Sequence, residues 1–350
     1  MPRLRRVDCS EPGIRRRRRG RGFEYLDLSG RKVTEPDVLQ RIAELRIPPA
    51  WREVWICSHP RGHIQATGID AAGRKQYLYH EHWRERRDQQ KFDEMIDFAR
   101  SLPRMRKTVE GHLAVEGMGR ERVLACSVRL LDRGFFRVGG EDYAVENESY
   151  GLATMRRTHV TLGRGGVITF DYPAKGGRRR IQSVVDPEVH EIVALLKRRR
   201  GGSDELLAYK EGARWRDVRS SEINDYVRSA TGGDFTAKDF RTWNATVLAA
   251  VALAVSGQAT GSRSARTRAI TRAVKEVARY LGNTPAVCRA SYIDSRVFDR
   301  FRDGLTIGGV LPTLVEDVEA DNAWLQGTVE EAVLDLIAGN GRSAALERVA

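Results

Sequence analysis

The segment from Gly282 to Tyr292, Gly-Asn-Thr-Pro-Ala-Val-Cys-Arg-Ala-Ser-Tyr, constrains the fold of this chain more than any other. Its first four residues favour a loop, and they follow an amphipathic helical pattern over 262–281. Pro285 suits the first turn of a helix, because a proline there loses no hydrogen bond. The segment therefore predicts two helices joined by a tight loop, with the second helix, over 285–303, carrying Tyr292.

The rest of the chain divides into three segments by composition and pattern. Nine arginines in residues 1–21, five of them consecutive at Arg15–Arg19, predict a basic flexible tail. Strand-like stretches around one or two helices predict a small β-rich domain over 22–95. Residues 96–350 are mostly helical in pattern, except that three strand-like stretches between 158 and 185 predict a three-stranded antiparallel sheet. The predicted fold class is α+β, with a small β-rich N-terminal domain and a larger, mostly α-helical one.

The charge of the chain points to a polyanionic partner. Lys and Arg number 60 and Asp and Glu 47, which gives a net charge of +13. Nucleic acid is the leading candidate, although charge alone leaves a membrane surface or a heparin-like polymer open. The runs Arg178–Arg180 and Lys197–Arg200 are expected to be exposed, where either can touch phosphates.

Cysteine and histidine spacing predicts no metal site. The four cysteines include no C-x-x-C pair, so neither a zinc site nor a disulfide framework is expected, and a reducing cytosol is the simplest compartment. His59 and His63 are four residues apart, but Pro60 and Gly62 prevent the helix that would align them. No apolar run approaches the roughly 20 residues that span a bilayer, and none follows the basic N-terminus as in a signal peptide. We expect no cofactor and no membrane partner.

Several short motifs carry side chains suited to chemistry at a phosphate. In chain order they are Phe135-Phe136-Arg137-Val138-Gly139, Asn147-Glu148-x-x-Gly151-Leu152, Lys175 at the tip of a hairpin, Lys238-Asp239-Phe240-Arg241-Thr242, Gly282-Asn283-Thr284-Pro285 and Tyr292. The order of these motifs and their local sequences resemble the active site of type IB DNA topoisomerases, most closely the small poxvirus and bacterial forms. The resemblance covers roughly residues 22–310 and marks 96–350 as the catalytic domain of a two-domain clamp around duplex DNA.

The resemblance implies a role for each matched side chain. Tyr292 would attack a DNA phosphorus and form a 3′-phosphotyrosyl link, while Arg137 and Arg241 hold the non-bridging oxygens. Lys175 would donate a proton to the leaving 5′ oxygen. The ester retains the bond energy, so religation needs no ATP, and the chain has no G-x-x-x-x-G-K-[ST] phosphate loop.

Two positions qualify this assignment. Asn283 stands where the family more often has histidine, so it can donate a hydrogen bond to the phosphate but cannot carry a proton there. Lys238 is expected to be a second cation near the phosphate. Taken singly, each of these residues has a simpler interpretation, such as a surface ion pair, a solvated turn lysine or a helix cap, and only the set in family order favours catalysis.

The small domain carries its own candidate DNA contacts. Gln76-Tyr77-Leu78-Tyr79 resembles the family's segment that meets the major groove. In a strand, Tyr77 and Tyr79 share one face and Gln76 the other. Glutamine can read adenine through two hydrogen bonds. The alternative, that the two tyrosines pack into the core of the small domain, stays open at this point.

Two rival functions remain. A tyrosine recombinase shares the nucleophile and both arginines, but usually has His three residues before the second arginine, where this chain has Lys238. A DNA-binding protein without catalysis is the other. The family resemblance favours a monomer acting on double-stranded DNA in the cytoplasm, associated with the nucleoid.

Overall fold

The computed structural model describes residues 3–257, 261–312 and 326–349. The chain divides into two compact units, residues 1–92 and 93–350. The division falls inside a long helix, Glu81–Leu113, three residues before the boundary predicted from the sequence.

A five-stranded antiparallel sheet forms most of the N-terminal unit. Its order is β2-β1-β3-β4-β5. The elements of this unit, ending with the helix that continues beyond it, are β1 (Ile14–Arg19), β2 (Gly22–Leu26), α1 (Pro36–Glu44), β3 (Arg52–Ile56), β4 (Ile64–Ile69), β5 (Lys75–Tyr79) and α2 (Glu81–Leu113). One face of the sheet packs with α1 around Ile42, Val54 and Ile56 to form the core of the unit.

The arginine run forms strand β1, so the prediction of a flexible tail over 1–21 is wrong for the described part of that segment. Arg15–Arg19 pairs with β2, because backbone hydrogen bonds do not depend on side-chain charge. Arg16 points to the core side, where its guanidinium donates to the carbonyls of Pro48 and Trp51 at 3.1 and 2.7 Å. Glu24 of β2 forms an ion pair with Arg17 at 2.5 Å, which offsets part of the repulsion among the arginines of β1.

The C-terminal unit is mostly helical. Its elements after α2 are α3 (Arg120–Arg133), α4 (Glu141–Asn147), β6 (Val160–Leu162), β7 (Val167–Ala174), β8 (Arg178–Val185), α5 (Pro187–Arg198), β9 (Ala208–Glu211), β10 (Arg214–Asp217), α6 (Ser220–Thr231), α7 (Ala237–Gly257), α8 (Arg263–Leu281), α9 (Pro285–Ser291), α10 (Ser295–Arg302), β11 (Leu305–Thr306), α11 (Thr328–Ala338) and β12 (Glu347–Arg348). Strands β6, β7 and β8 form the predicted three-stranded antiparallel sheet, which confirms the α+β fold class.

Helix α7 lies at the centre of this unit, where it contacts α3, α6, α8, α10 and α11. Most of its side chains are buried, including Phe240 and Trp243. The indole of Trp243 donates to Glu330 of α11 at 2.7 Å, and Glu330 also accepts from Arg106 of α2 at 2.5 Å. The helix that carries Arg241 is therefore fixed on several sides. Within the described ranges, no helix has the length and apolar character needed to cross a membrane.

The predicted single helix over 285–303 is wrong, because the structure divides it at Tyr292. Thr284 caps α9 by accepting from the Val287 N–H at 3.3 Å. Asp294 caps α10 by accepting from the Arg296 N–H at 2.9 Å. A second N-cap so close to the first ends the earlier helix. Tyr292 therefore leaves the helical path at the C-terminal end of α9, and its ring is half-buried.

Candidate active site

Five of the residues singled out from the sequence line one cavity of about 260 Å³ in the C-terminal unit. They are Arg137, Lys175, Lys238, Arg241 and Tyr292. None of the described residues lining this cavity is acidic. The cavity thus brings four cationic side chains together with Tyr292 and two further tyrosines, Tyr143 and Tyr150, and its charge suits an anion. In the described part of the chain, no three His, Cys, Asp or Glu side chains lie close enough together to hold a metal ion.

Arg241 is the buried member of the site, with 4% of its surface exposed. Its guanidinium donates to the carbonyls of Phe135, at 2.5 Å, and Leu281, at 3.0 Å. Burial and the neighbouring Arg137 lower the pKa of Arg241 to about 10, so it stays protonated at neutral pH. Its central carbon lies 5.4 Å from the ring centroid of Tyr292. The most rigidly held cation is therefore next to the phenol.

Asn283 does not line the cavity but holds Arg137, which does. The Arg137 guanidinium donates to Asn283 Oδ1 and lies 3.5 Å from the Gly282 carbonyl. The remaining amide donor, Asn283 Nδ2, is buried without a hydrogen-bond partner among the described residues. Its carboxamide can therefore orient the arginine with one atom and donate to a phosphate oxygen with the other.

Tyr292 is positioned by its backbone. Its N–H donates to the Cys288 carbonyl at 3.0 Å. Its own carbonyl lies 3.3 Å from the hydroxyl of Thr246 on α7. The next residue, Ile293, is fully buried and anchors the chain between α9 and α10. These contacts fix the place from which the phenol reaches the cavity.

The two lysines of the site are exposed. Lys175 follows the last residue of β7, and the tight turn after it uses Gly176 and Gly177, both with positive φ. Lys238 lies in the first turn of α7. Neither has the packed surroundings of Arg241, so both can adjust when a substrate enters.

The loop that carries Arg137 is shaped by a close approach of two glycines. The Leu152 N–H donates to the Arg137 carbonyl at 2.8 Å. At the same crossing, a Cβ on Gly151 would overlap the backbone of Gly139 and would lie 2.8 Å from the Arg137 carbonyl. The two predicted motifs, Phe-Phe-Arg-x-Gly and Asn-Glu-x-x-Gly-Leu, thus meet to hold Arg137 in place.

The candidate contacts of the N-terminal unit divide between the two faces of its sheet. Tyr77 and Tyr79 are 40% and 39% exposed, so they do not pack into the core, and their nearly parallel rings lie 6.0 Å apart. Gln76 is on the other face, as expected, where its amide donates to Asp70 at 2.9 Å. The register places Arg15 in the same row across the sheet as Tyr77.

The two basic runs expected at the surface, Arg178–Arg180 and Lys197–Arg200, are each partly buried. Lys197 donates to the carbonyl of Arg157 at 2.8 Å, and Arg199 is buried against the Leu206 carbonyl. Arg180 is half-buried and adjoins Arg137 near Gly282. The alternation of side chains along a strand could have predicted the burial of Arg180, because Arg180 lies on the same side of β8 as the buried Val184.

Comparison with known proteins agrees with this arrangement. Residues 80–304 match the family model of the eukaryotic DNA topoisomerase I catalytic core, and residues 22–70 match that of the bacterial DNA topoisomerase IB N-terminal domain. The chain is 30% identical over 298 residues to DNA topoisomerase 1B of Acanthamoeba polyphaga mimivirus. The aligned region covers 83% of this chain and 88% of that protein.

Similarity to yeast proteins is confined to part of each chain. DNA topoisomerase 1 of Schizosaccharomyces pombe is 30% identical over 141 residues, or 40% of this chain and 16% of that protein. The Candidozyma auris protein of the same name is 28% identical over 160 residues, or 45% and 20%. These matches give no support to the recombinase or to the binding-only alternative. The chain belongs to the type IB DNA topoisomerase family.

We expect Gly151→Ala to lower the free energy of unfolding by about 3 kcal/mol, because its methyl group meets backbone that cannot move aside. Gly111→Ala is the matched control, since a Cβ there meets open space on helix α2 and should raise stability by up to about 1 kcal/mol. Urea denaturation measures both. A Gly151→Ala protein as stable as the unmodified chain would contradict the proposed close approach.

Proposed function

We propose that this protein relaxes supercoiled duplex DNA by cutting one strand, letting it rotate about the other and rejoining it, without ATP. The proposal rests on one observation: Arg137, Lys175, Arg241 and Tyr292 line a single cavity that has no acidic residue among its described walls. Membership of the type IB topoisomerase family supports the same activity.

In the proposed cleavage step, the Tyr292 oxygen forms a bond to phosphorus and the bond from phosphorus to the 5′ oxygen breaks. The phenolic proton passes to solvent, and the electron pair of the broken bond goes to the 5′ oxygen. Arg137 and Arg241 stabilise the charge that builds on the non-bridging oxygens, with Asn283 and Lys238 as further donors. A free 5′ hydroxyl then reverses the step and restores the strand.

Lys175 protonates the departing 5′ oxygen in this proposal. An alkoxide is a poor leaving group, so a nearby acid lowers the barrier to its departure. A lysine can perform this task because its proton is transferable near neutral pH in a suitable site, whereas an arginine keeps its proton. The exposed tip of the β7–β8 hairpin gives Lys175 the freedom to meet bound DNA.

Contacts away from the cut site come from the N-terminal unit in this proposal. Tyr77 and Tyr79 offer exposed rings beside the basic side chain of Lys75, whose ammonium lies 5.6 Å from the Tyr77 ring. Gln76 lies on the other face of the strand and donates one hydrogen bond to Asp70, which leaves its second N–H and its carbonyl oxygen for a base. Arg15 extends the same surface, because it is exposed and in register with Tyr77. The partner is double-stranded DNA.

We also propose that the protein acts as a monomer and, in a cell, stays on DNA in the cytoplasmic nucleoid. One copy of the chain supplies every side chain that the cleavage step requires. The relaxation rate should therefore rise in direct proportion to protein concentration. A second-order dependence would contradict the monomer.

Relaxation of plasmid DNA tests the function. The unmodified protein should relax both negatively and positively supercoiled plasmid in the presence of EDTA and without ATP. Tyr292→Phe should lose this activity by at least about 1,000-fold while still binding DNA, since only the nucleophilic oxygen is removed. Agarose gels and a parallel binding assay measure the two properties. Full activity in Tyr292→Phe, or an absolute need for ATP, would rule the proposal out.

A substrate with sulfur in place of the leaving 5′ oxygen tests Lys175. Lys175→Ala should slow single-turnover cleavage of ordinary DNA by about 100-fold or more, because the leaving oxygen lacks a proton donor. The same variant should cleave the sulfur substrate nearly as fast as the unmodified protein, since a thiolate leaves without protonation. An equal defect on both substrates would remove Lys175 from the role of acid.

Binding measurements test the face of the N-terminal sheet that carries Tyr77 and Tyr79. Substituting Tyr77 and Tyr79 together by Ala should weaken plasmid binding by about 10-fold or more, because two exposed rings are lost. Val145→Ala, an 84% exposed apolar residue on α4 of the other unit, serves as a surface control. Unchanged affinity in the double variant would exclude the tyrosines as DNA contacts.

A further inference from the structure

Arg180 connects the hairpin of the candidate acid to the loop of Asn283. It lies on β8 opposite Tyr172 of β7, two residue pairs from Ala174, which immediately precedes Lys175. Two pairs in an antiparallel sheet correspond to about 7 Å along the strand. The other end of this side chain reaches α8, so a single residue spans two parts of the site.

The guanidinium of Arg180 is held by the protein rather than by solvent. Its Nε donates to Gln182 Oε1 at 2.5 Å, and its Nη2 donates to the Tyr280 carbonyl in the last turn of α8. Gly282 makes room for it, because a Cβ at that position would lie 2.8 Å from Arg180 Nη1. Three atoms of the side chain are thus fitted to the strand on one side and to the helix end on the other.

The Tyr280 carbonyl is the first of three in sequence that face arginines. Arg180 donates to Tyr280, Arg241 donates to Leu281, and Arg137 lies 3.5 Å from Gly282. Among the described residues, none of these three arginines forms an ion pair with a carboxylate. The end of α8 therefore fixes the relative positions of Arg180 and both proposed phosphate ligands.

The position of Arg180 is not that of a simple surface cation. A second cavity, of about 580 Å³, includes Arg180 and shares Arg137 and Lys175 with the first. Burial lowers the pKa of Arg180, and the charge of Arg137 lowers it further. Two like charges are kept close together here, and the bonds to Tyr280 and Gln182 resist their separation.

We propose that Arg180 is a positioning residue for the cleavage step, which holds the β7–β8 hairpin against the end of α8 so that Lys175 can reach the leaving oxygen. The inference rests on the proposed function, because it assigns Arg180 an effect through the proton that Lys175 donates. Arg180 itself touches neither the phosphorus nor the leaving oxygen in this scheme. Its loss should therefore affect departure of the 5′ oxygen more than binding of the phosphate.

Single-turnover cleavage of oxygen and sulfur substrates tests the proposal. Arg180→Gln should slow cleavage of ordinary DNA by about 100-fold, the scale expected when a catalytic group is displaced by about 1 Å. On the substrate with a 5′ sulfur leaving group the defect should shrink to less than about 3-fold, because that reaction does not need Lys175. Equal defects on the two substrates, or no defect on either, would overturn the proposal.

Arg179→Gln is the matched control for charge. Arg179 is the next residue on β8, is 72% exposed in its side chain and pairs with Asp171. Its substitution removes the same charge from the same strand. Because Arg179 belongs to a run expected to touch phosphates, cleavage is measured with saturating protein, where a lost phosphate contact does not limit the rate, and both cleavage rates should then stay within about 3-fold of the unmodified protein. A defect in Arg179→Gln as large as that in Arg180→Gln would show that charge, not position, is responsible and would overturn the proposal.

Two further variants keep the test decisive if Arg180→Gln folds poorly. Gln182→Ala removes one partner of Arg180 and should slow ordinary cleavage by about 10-fold, with recovery on the sulfur substrate. Arg180→Lys keeps the charge but lacks the fork that reaches both partners, so it should retain most of the defect on ordinary DNA. Normal cleavage by both variants would contradict the positioning role.

A double variant separates this inference from the proposed function. If Arg180 acts through Lys175, the combined change Lys175→Ala with Arg180→Gln should be no slower than Lys175→Ala alone by more than about 3-fold, because the two effects are not additive. Multiplied defects would overturn the inference while leaving Tyr292 as the nucleophile. Failure of the unmodified protein to form any covalent adduct would instead defeat the proposed function itself.

Discussion

The candidate site depends on contacts between three arginines and the backbone carbonyls at the C-terminal end of helix α8. The last carbonyls of this helix, at Tyr280, Leu281 and Gly282, face Arg180, Arg241 and Arg137 in turn. A helix end carries partial negative charge and unsatisfied carbonyl groups, so it can hold guanidiniums without a carboxylate. The arginines keep their net positive charge for an anion, because backbone dipoles fix them without neutralising them.

This arrangement has an energetic consequence for the protein without DNA. Arg241 is buried beside Arg137, and its pKa falls to about 10 because burial and like charge both disfavour the protonated form. The folded state therefore carries an electrostatic cost at neutral pH, which the rest of the fold must offset. Burial of α7 and the contact between Gly139 and Gly151 hold the two arginines in place despite that cost. A phosphate between them would relieve it.

Sequence motifs predicted the residues of the cavity better than they predicted its framework. The short sequence motifs around Arg137, Lys175, Arg241 and Tyr292 were enough to predict four side chains that line one cavity. Each motif contains both the candidate residue and the turn or helix start that presents it. Their roles in cleavage remain proposals. The motifs also predict Asn283, but its place beside Arg137 and outside the cavity wall is set by the three-dimensional fold.

The errors have physical reasons. Charge repulsion suggested that Arg15–Arg19 could not be ordered, yet strand pairing is a property of the backbone, and Glu24 and three carbonyl groups receive the side chains. The break at Tyr292 depends on the cap of Asp294, which a continuous helical pattern conceals. Arg180 was hidden in a basic run, because its partner carbonyl is 100 residues away in sequence.

Trapping the protein on a nicked DNA substrate that cannot religate tests the central claim most directly. Digestion of the trapped complex and mass spectrometry of the modified peptide should locate the nucleotide on Tyr292, joined through a 3′ phosphate. Attachment to another residue, such as Tyr280 or Tyr150, or a link through a 5′ phosphate, would contradict the account.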